Sequence, residues 1–227
     1  MEKLKTNPER LMLLACNPKK PYWLISKQIL NMGLSGALML DLVEKEHIGF
    51  DEKYVIAKSR PGGLTLAHEN VWKIINQREK NRKAKRWITY LANRAKMFRE
   101  PLFKLMQDQG MLHLAQHSFL FIPYLRISVS DNTAREKLIA GLTQKINSTE
   151  PLSPFDAGLL SVILAMKLFK PFTQGMRERK TFRQKLKKRV EENPVADGIQ
   201  EAIQEMQAAI TAATVAAVAT TSASAGN

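Results

Sequence analysis

Apolar residues recur at helical spacing along most of the chain, and where they stop the polar residues mark turns and caps. Leu11 to Cys16 reads as a short apolar helix, and Tyr22 to Glu46 as a long apolar helical stretch interrupted at Gly33 and Gly36. Tyr54 to Ala57 has the alternation of a strand, and the Pro61-Gly62-Gly63 turn leads into a helix from about Leu64 to Gln77. A basic helical stretch follows to Gln109, closed by Gly110. Met111 to Leu114 and Phe119 to Tyr124 resemble the two short strands of a hairpin, Pro123 being tolerated near an edge. Asp131 caps a helix to about Ile146, and Ser153-Pro154 opens another reaching Phe169. The last helix starts near Asn193-Pro194, packs tightly through its small residues from Ile203 to Val218, and frays from Thr220.

This pattern predicts a mainly α fold, a single-domain helical bundle over residues 1–219 with a small β-hairpin and a frayed tail at 220–227. A chain of 227 residues has ample material for one core, and no repeat or Pro/Gly/Ser linker divides it. Cys16 is the sole cysteine, so an internal disulfide, a CxxC redox pair and a zinc knuckle are all excluded, and a reduced core thiol is expected. The opening MEKLKTNPER carries acids and a proline instead of a secretory leader, and the apolar stretches fall short of the ~20 residues of a membrane span. A cytoplasmic protein is expected.

Charge changes the picture. The net charge of +14 is concentrated in two windows: Lys73 to Lys104 has eleven basic residues against Glu79 and Glu100, and Lys167 to Arg189 has ten against Glu178. The rest of the chain is slightly acidic, so the excess is a field with direction, suited to an anionic partner. On a helical wheel at ~100° per residue with Arg82 at zero, Trp87, Ile88, Leu91, Ala95, Phe98, Leu102, Leu105 and Met106 fall between roughly 140° and 240°. Arg78, Lys85, Arg86, Lys96, Arg99 and Lys104 lie on the other side, a basic ridge turned from the core, which Pro101 is expected to split into two segments. The plainer reading of such a ridge is a solvated face. In the second window Phe182, Leu186 and Val190 form a single apolar line, predicting an edge-packed, mostly exposed helix.

Catalytic chemistry is missing from the pattern. His47, His68, His113 and His117 are scattered, and the four-residue spacing of the last two suits a metal only on a helix, whereas these flank a hairpin turn. Gly33-Leu34-Ser35-Gly36-Ala37 lacks the final glycine of a nucleophile elbow and reads as a helix-packing stretch. No phosphate loop, dinucleotide fingerprint or HExxH occurs, so no enzyme, no metal site and no cofactor are expected.

The order of several short motifs then resembles the Golgi phosphoprotein 3 family, in its shorter prokaryotic branch. These are Leu11 to Cys16, Gly33-Leu34-Ser35-Gly36-Ala37-Leu38-Met39-Leu40-Asp41-Leu42, Pro61-Gly62-Gly63, Arg86-Trp87-Ile88, and Arg99-Glu100 through Gly110-Met111-Leu112. Asn193-Pro194-Val195 and the alanine-rich tail continue the series. The resemblance implies a mainly helical, non-enzymatic peripheral membrane protein, of the kind that binds phosphatidylinositol 4-phosphate and captures cytoplasmic tails of membrane proteins. It places the two headgroup-binding basic residues of the family on Lys96 and Arg99. The arginine between the glycines falls on Ser35 and the tryptophan near Ser26, both departures, with Trp23 one turn earlier as the available ring and Lys27 beside it. It also makes Phe119-Leu120-Phe121-Ile122 a hydrophobic hairpin for membrane contact or self-association into a homo-oligomer, against the plainer reading of burial in the chain's own core.

Two functions are therefore carried forward. The first is a peripheral membrane protein that binds anionic lipid headgroups through its basic face and serves as an adaptor for membrane protein tails. The second is a nucleic-acid-binding protein, since Trp87, Tyr90 and Phe98 interleave with the basic residues as stacking platforms would. The wheel places Trp87 and Phe98 on the apolar side, which favours the first.

Overall fold

The computed structural model describes residues 4–78, 82–119, 122–192 and 197–224, and over them the chain is mainly α-helical. Helix α1 (Asn7–Ala15) opens on a capping box: the buried Glu9 carboxylate accepts from the Thr6 amide at 2.8 Å and from its hydroxyl at 2.5 Å. Its other end is closed from a distance, for the Arg135 guanidinium donates to the carbonyls of Leu13 and Leu14 at 3.3 and 3.4 Å. Those two carbonyls belong to the last turn and have no partner within the helix.

Helix α2 (Lys27–Glu44) begins after Ser26, whose hydroxyl accepts from the Ile29 amide, and is buried almost continuously from Leu30 to Leu42. It runs unbroken through Gly33 and Gly36, correcting the expected interruption. The glycines serve close packing instead. A methyl group at Gly33 would stand 1.9 Å from the sulfur of Met166, and one at Gly36 would stand 2.4 Å from Ile210 Cδ1.

After α2 come the antiparallel strands β1 (Ile48–Asp51) and β2 (Tyr54–Ala57), then α3 (Leu66–Asn76). A two-residue strand, β3 (Arg82–Lys83), joins the outer edge of β2 through the pairs Tyr54 with Lys83 and Val55 with Arg82. The sequence pattern foresaw β2 alone. The two-residue β3 is too short to carry a period of its own, and in the four-residue β1 Gly49 weakens the strand signal.

The basic stretch forms two helices, α4 (Ala84–Ala92) and α5 (Lys96–Asp108), but the break lies at residues 93–95 and not at Pro101. Pro101 is inside α5 and cannot offer an amide to the Met97 carbonyl four residues back. The side-chain amide of Asn70 on α3 donates to that carbonyl at 2.8 Å and supplies the missing bond. Both helices keep the predicted inner face: Trp87, Ile88, Leu91, Phe98, Leu102 and Met106 are buried.

Strands β4 (Leu112–Phe119) and β5 (Ile122–Val129) form a two-stranded ribbon longer than the sequence implied, paired from Leu112 with Val129 to Phe119 with Ile122. Leu112 and Ile127 bury its base against the core, while His113, His117 and Arg126 are exposed. Helix α6 (Asn132–Asn147) is capped by Asp131 and α7 (Pro154–Ala165) by Ser153. Helix α7 stops short of the expected Phe169, which belongs to the turn that follows. Helix α8 (Met176–Glu191) buries only Leu186 and Val190, with Phe182 stacked on Phe172. Helix α9 (Asp197–Ser224) buries Ile203, Met206, Ala209, Ile210 and Ala213. It lies on α2, α4 and α7, so α2 is walled by α1, α4, α7 and α9. The Asn193-Pro194 start expected for this helix lies outside the described residues. Among the described residues no helix is long and apolar enough to cross a membrane.

Candidate functional site

The segment between α1 and α2 is short and held at both ends. The Leu24 amide donates to Ala15 O at 2.8 Å and the Asn17 amide to Tyr22 O at 3.0 Å, while Cys16 and Trp23 form an isolated antiparallel bridge. Asn17 Oδ1 accepts from the amides of Lys19 and Lys20, an Asx turn that tightens the loop. Both lysines are exposed, and so is Tyr22. The loop thus presents basic side chains just ahead of a half-buried Trp23.

Trp23 lies parallel to Phe103 of α5, with ring centroids 6.1 Å apart and planes at 13°. The Arg99 guanidinium stands 5.8 Å from the centre of the same Phe103 ring and donates to Asn31 Oδ1 at 3.1 Å. Asn31 is itself oriented, its amide donating to Ala92 O at 3.4 Å at the end of α4. Arg99 is half-buried and its Nε has no partner, so one donor of a fixed cation is unsatisfied. Burial lowers its affinity for the proton, and the neighbouring Glu100 carboxylate works in the opposite direction.

Of the four anion-site residues expected from sequence, the structure brings Trp23 and Arg99 together against Phe103. Lys96 lies three residues before Arg99, 81% exposed, and faces Glu100 across 3.7 Å. Such an exposed ion pair yields readily to a competing anion. Lys27 is exposed in the first turn of α2 and makes no hydrogen bond or ion pair with the other three. Ser35, at the position of the family's missing arginine, is wholly buried and donates to the Asn31 carbonyl at 2.8 Å. Sequence reasoning missed Asn31 and Phe103. Asn31 stands one helical turn before Ser35 on α2, and Phe103 one turn after Arg99 on α5, so the i, i+4 spacing was the available signal.

For the hairpin, Phe119, the last residue of β4, pairs with Ile122, the first of β5, while Leu120 and Phe121 lie outside the described residues. His113 and His117 both sit on the strand β4, so they lack the helical setting that would make the four-residue spacing a metal signature.

Two other polar groups are structural. Thr65 Oγ1 lies 2.8 Å from His68 Nδ1, and His68 Nε2 lies 3.2 Å from Asp41 Oδ2, an arrangement with the order of a hydrolytic relay. His68 is completely enclosed, and Asp41 Oδ2 also accepts the Asn7 amide at 3.0 Å. The trio therefore ties the starts of α1 and α3 to α2. A cleft of about 590 Å³ between α1, α6 and α7 is lined by Arg10, Lys137, Lys145, Phe155 and Asp156. Two of its cations already have an anion, since Asp156 takes Lys145 at 2.5 Å and Arg10 at 3.4 Å. Arg99, whose unpartnered Nε is buried, has no carboxylate within ion-pair distance among the described residues.

The family model Golgi phosphoprotein 3 (GPP34) matches residues 8–206. No curated protein matches the chain.

Proposed function

The chain belongs to the Golgi phosphoprotein 3 family, and on that premise we propose that it is a non-enzymatic peripheral membrane protein that binds anionic lipid headgroups, phosphatidylinositol 4-phosphate or one like it. The observation that carries this reading is the half-buried Arg99, held by Asn31 and Phe103 with its Nε unsatisfied, beside the exposed Lys96. Three residues apart on α5, the two project from one side, so that a phosphate oxygen pair meets a planar guanidinium and a mobile ammonium together. Trp23, stacked on Phe103, is flanked in sequence by the exposed Lys19, Lys20 and Lys27, an amphipathic ring among cations suited to the headgroup region. At about 1 kcal/mol for each basic residue near an anionic surface, four to six engaged residues give reversible, salt-sensitive binding.

The hairpin β4–β5 adds contact with the bilayer or with a second copy in this reading, and the bound protein acts as an adaptor for cytoplasmic tails of membrane proteins. The nucleic-acid alternative loses two of its three platforms, because Trp87 and Phe98 are buried and only Tyr90 is half-exposed. Co-sedimentation with anionic and neutral vesicles at low and high salt, beside filter binding of single-stranded RNA, tests the proposal. Retention on anionic vesicles alone, falling with salt, is the expected result. Retention of RNA without vesicle binding overturns it.

A further inference from the structure

Three arginines from three different segments converge on one tyrosine. Arg78 follows α3, Arg82 is the first residue of β3, and Arg94 lies in the turn between α4 and α5. Their guanidinium carbons stand 4.6, 4.9 and 3.9 Å from the centre of the Tyr90 ring, and Arg82 also covers Trp87 at 5.5 Å. Trp87 buttresses the tyrosine edge-on, with centroids 5.9 Å apart. Local structure places all three bases: Arg82 pairs with Val55 on β2, the Arg78 amide donates to Ile75 O, and the Arg94 amide donates to Leu91 O.

Any two of the three cations lie within about 10 Å, inside a Debye length at modest salt, so they repel one another. No salt bridge to a carboxylate offsets this among the described residues. The ring holds them together through cation–π attraction, and Arg78 donates to the Tyr90 hydroxyl. Each guanidinium carries five N–H donors, and among the described residues Arg78 gives one to the Tyr90 hydroxyl while Arg82 and Arg94 make no side-chain hydrogen bond. Lys83, Lys85 and Arg86, which follow Arg82 in sequence, are exposed. A multiply charged anion with several oxygens answers both the repulsion and the open donors.

We propose that Arg78, Arg82 and Arg94, gathered on Tyr90, form a binding site for a terminal phosphoryl group, a phosphate monoester or a diphosphate, separate from the Lys96 and Arg99 pair. Planar guanidinium edges bind two oxygens of such a group at once, and a site of three favours a dianion over a phosphodiester monoanion. The group is carried either by a lipid or by a soluble compound.

The test uses the full chain in metal-free buffer. Inorganic diphosphate is titrated calorimetrically into the wild type, into Arg78→Gln/Arg82→Gln/Arg94→Gln, and into a control, Lys185→Gln/Lys187→Gln/Lys188→Gln, with circular dichroism confirming the fold. The first triple variant should bind more than about tenfold more weakly, and the control should change less than about threefold. Tyr90→Phe should retain most of the binding and Tyr90→Leu should lose it, and the single change Arg94→Gln serves if the triple variant does not fold. Vesicles containing phosphatidic acid or phosphatidylglycerol at equal surface charge then separate the sources. A preference for phosphatidic acid that disappears in the triple variant assigns the group to a lipid, and diphosphate binding without that preference assigns it to a soluble compound. Equal diphosphate binding by wild type and both triple variants overturns the proposal. So does RNA binding that needs Tyr90 when diphosphate binding is absent. Loss of vesicle binding on changing Lys96 and Arg99, with diphosphate binding intact, leaves this site standing apart from the one proposed above.

Discussion

Replacing Asn70 by leucine tests how the helix that carries Arg99 is held. Pro101 withholds an amide from the Met97 carbonyl, and the Asn70 side chain supplies the donor at 2.8 Å. Leucine keeps the heavy-atom count and branching of asparagine at this half-buried position and cannot donate; its greater bulk is a separate steric cost that is present with and without Pro101 and cancels in the double-mutant cycle. An unsatisfied buried carbonyl costs about 1–3 kcal/mol, and the partial exposure of Met97 points to the lower half of that range. With about 2.1 cal/mol/K of unfolding entropy per residue, 227 residues convert about 1–2 kcal/mol into a melting point lower by about 2–4 °C. The proline supplies the internal control. In a Pro101→Ala background the alanine amide at position 101 can bond Met97 itself, so Asn70→Leu should cost about 1 kcal/mol less there. Differential scanning calorimetry of the four proteins measures this coupling. Additivity within about 0.3 kcal/mol would refute the claim that Asn70 stands in for the missing helical bond.

Other expectations follow from the same packing. Burial pushes the Cys16 thiol up from 9.0 to about 12, against the opposing pull of Arg135, so the folded thiol stays protonated where the unfolded one ionises. Stability should therefore fall as pH rises above about 9, by at most about 1.4 kcal/mol per unit up to about 12, and urea titrations should show this component vanish in Cys16→Ala. Gly36→Val drives a branched side chain into Ile210 and should destabilise the protein by about 2–3 kcal/mol, read from the denaturant midpoint; a neutral result would show that α2 and α9 are not packed closely there. Phe121→Asp should keep the helical circular dichroism signal and reduce vesicle binding or self-association, whereas global unfolding would make the hairpin end part of the core.

The inner faces were legible in the sequence because periodicity depends only on which residues are apolar. Trp87, Leu91, Phe98 and Leu102 share one arc of the wheel and are all buried, and Leu186 and Val190 are the buried line of α8. The continuity of α2 was hidden, since Gly33 and Gly36 look like breaks until Met166 and Ile210 are seen filling the space above them. The break at residues 93–95 was equally hidden, because a proline can be tolerated when a side chain such as Asn70 substitutes for its amide. At the candidate site, Trp23 and Arg99 were reached through resemblance; Phe103 lies one turn from Arg99 on the same helix, whereas the hydrogen bond from Arg99 to Asn31 joins residues 68 positions apart and depends on the fold. The convergence of Arg78, Arg82 and Arg94 on Tyr90 depends on how β3 and the turn after α4 are placed, and no local pattern encodes that.

The proposed function rests on one basic face, built on α5, that reads an anionic membrane. Its most direct test is the affinity of Lys96→Ala/Arg99→Ala for anionic vesicles at fixed salt, measured against wild type and against the α8 variant Lys185→Ala/Lys187→Ala/Lys188→Ala. A loss of about tenfold or more is expected in the α5 variant, with its melting curve preserved, and a smaller, purely charge-dependent loss in the α8 variant. Unchanged binding after the α5 substitutions, with loss on changing α8, would contradict it and move the membrane contact to α8.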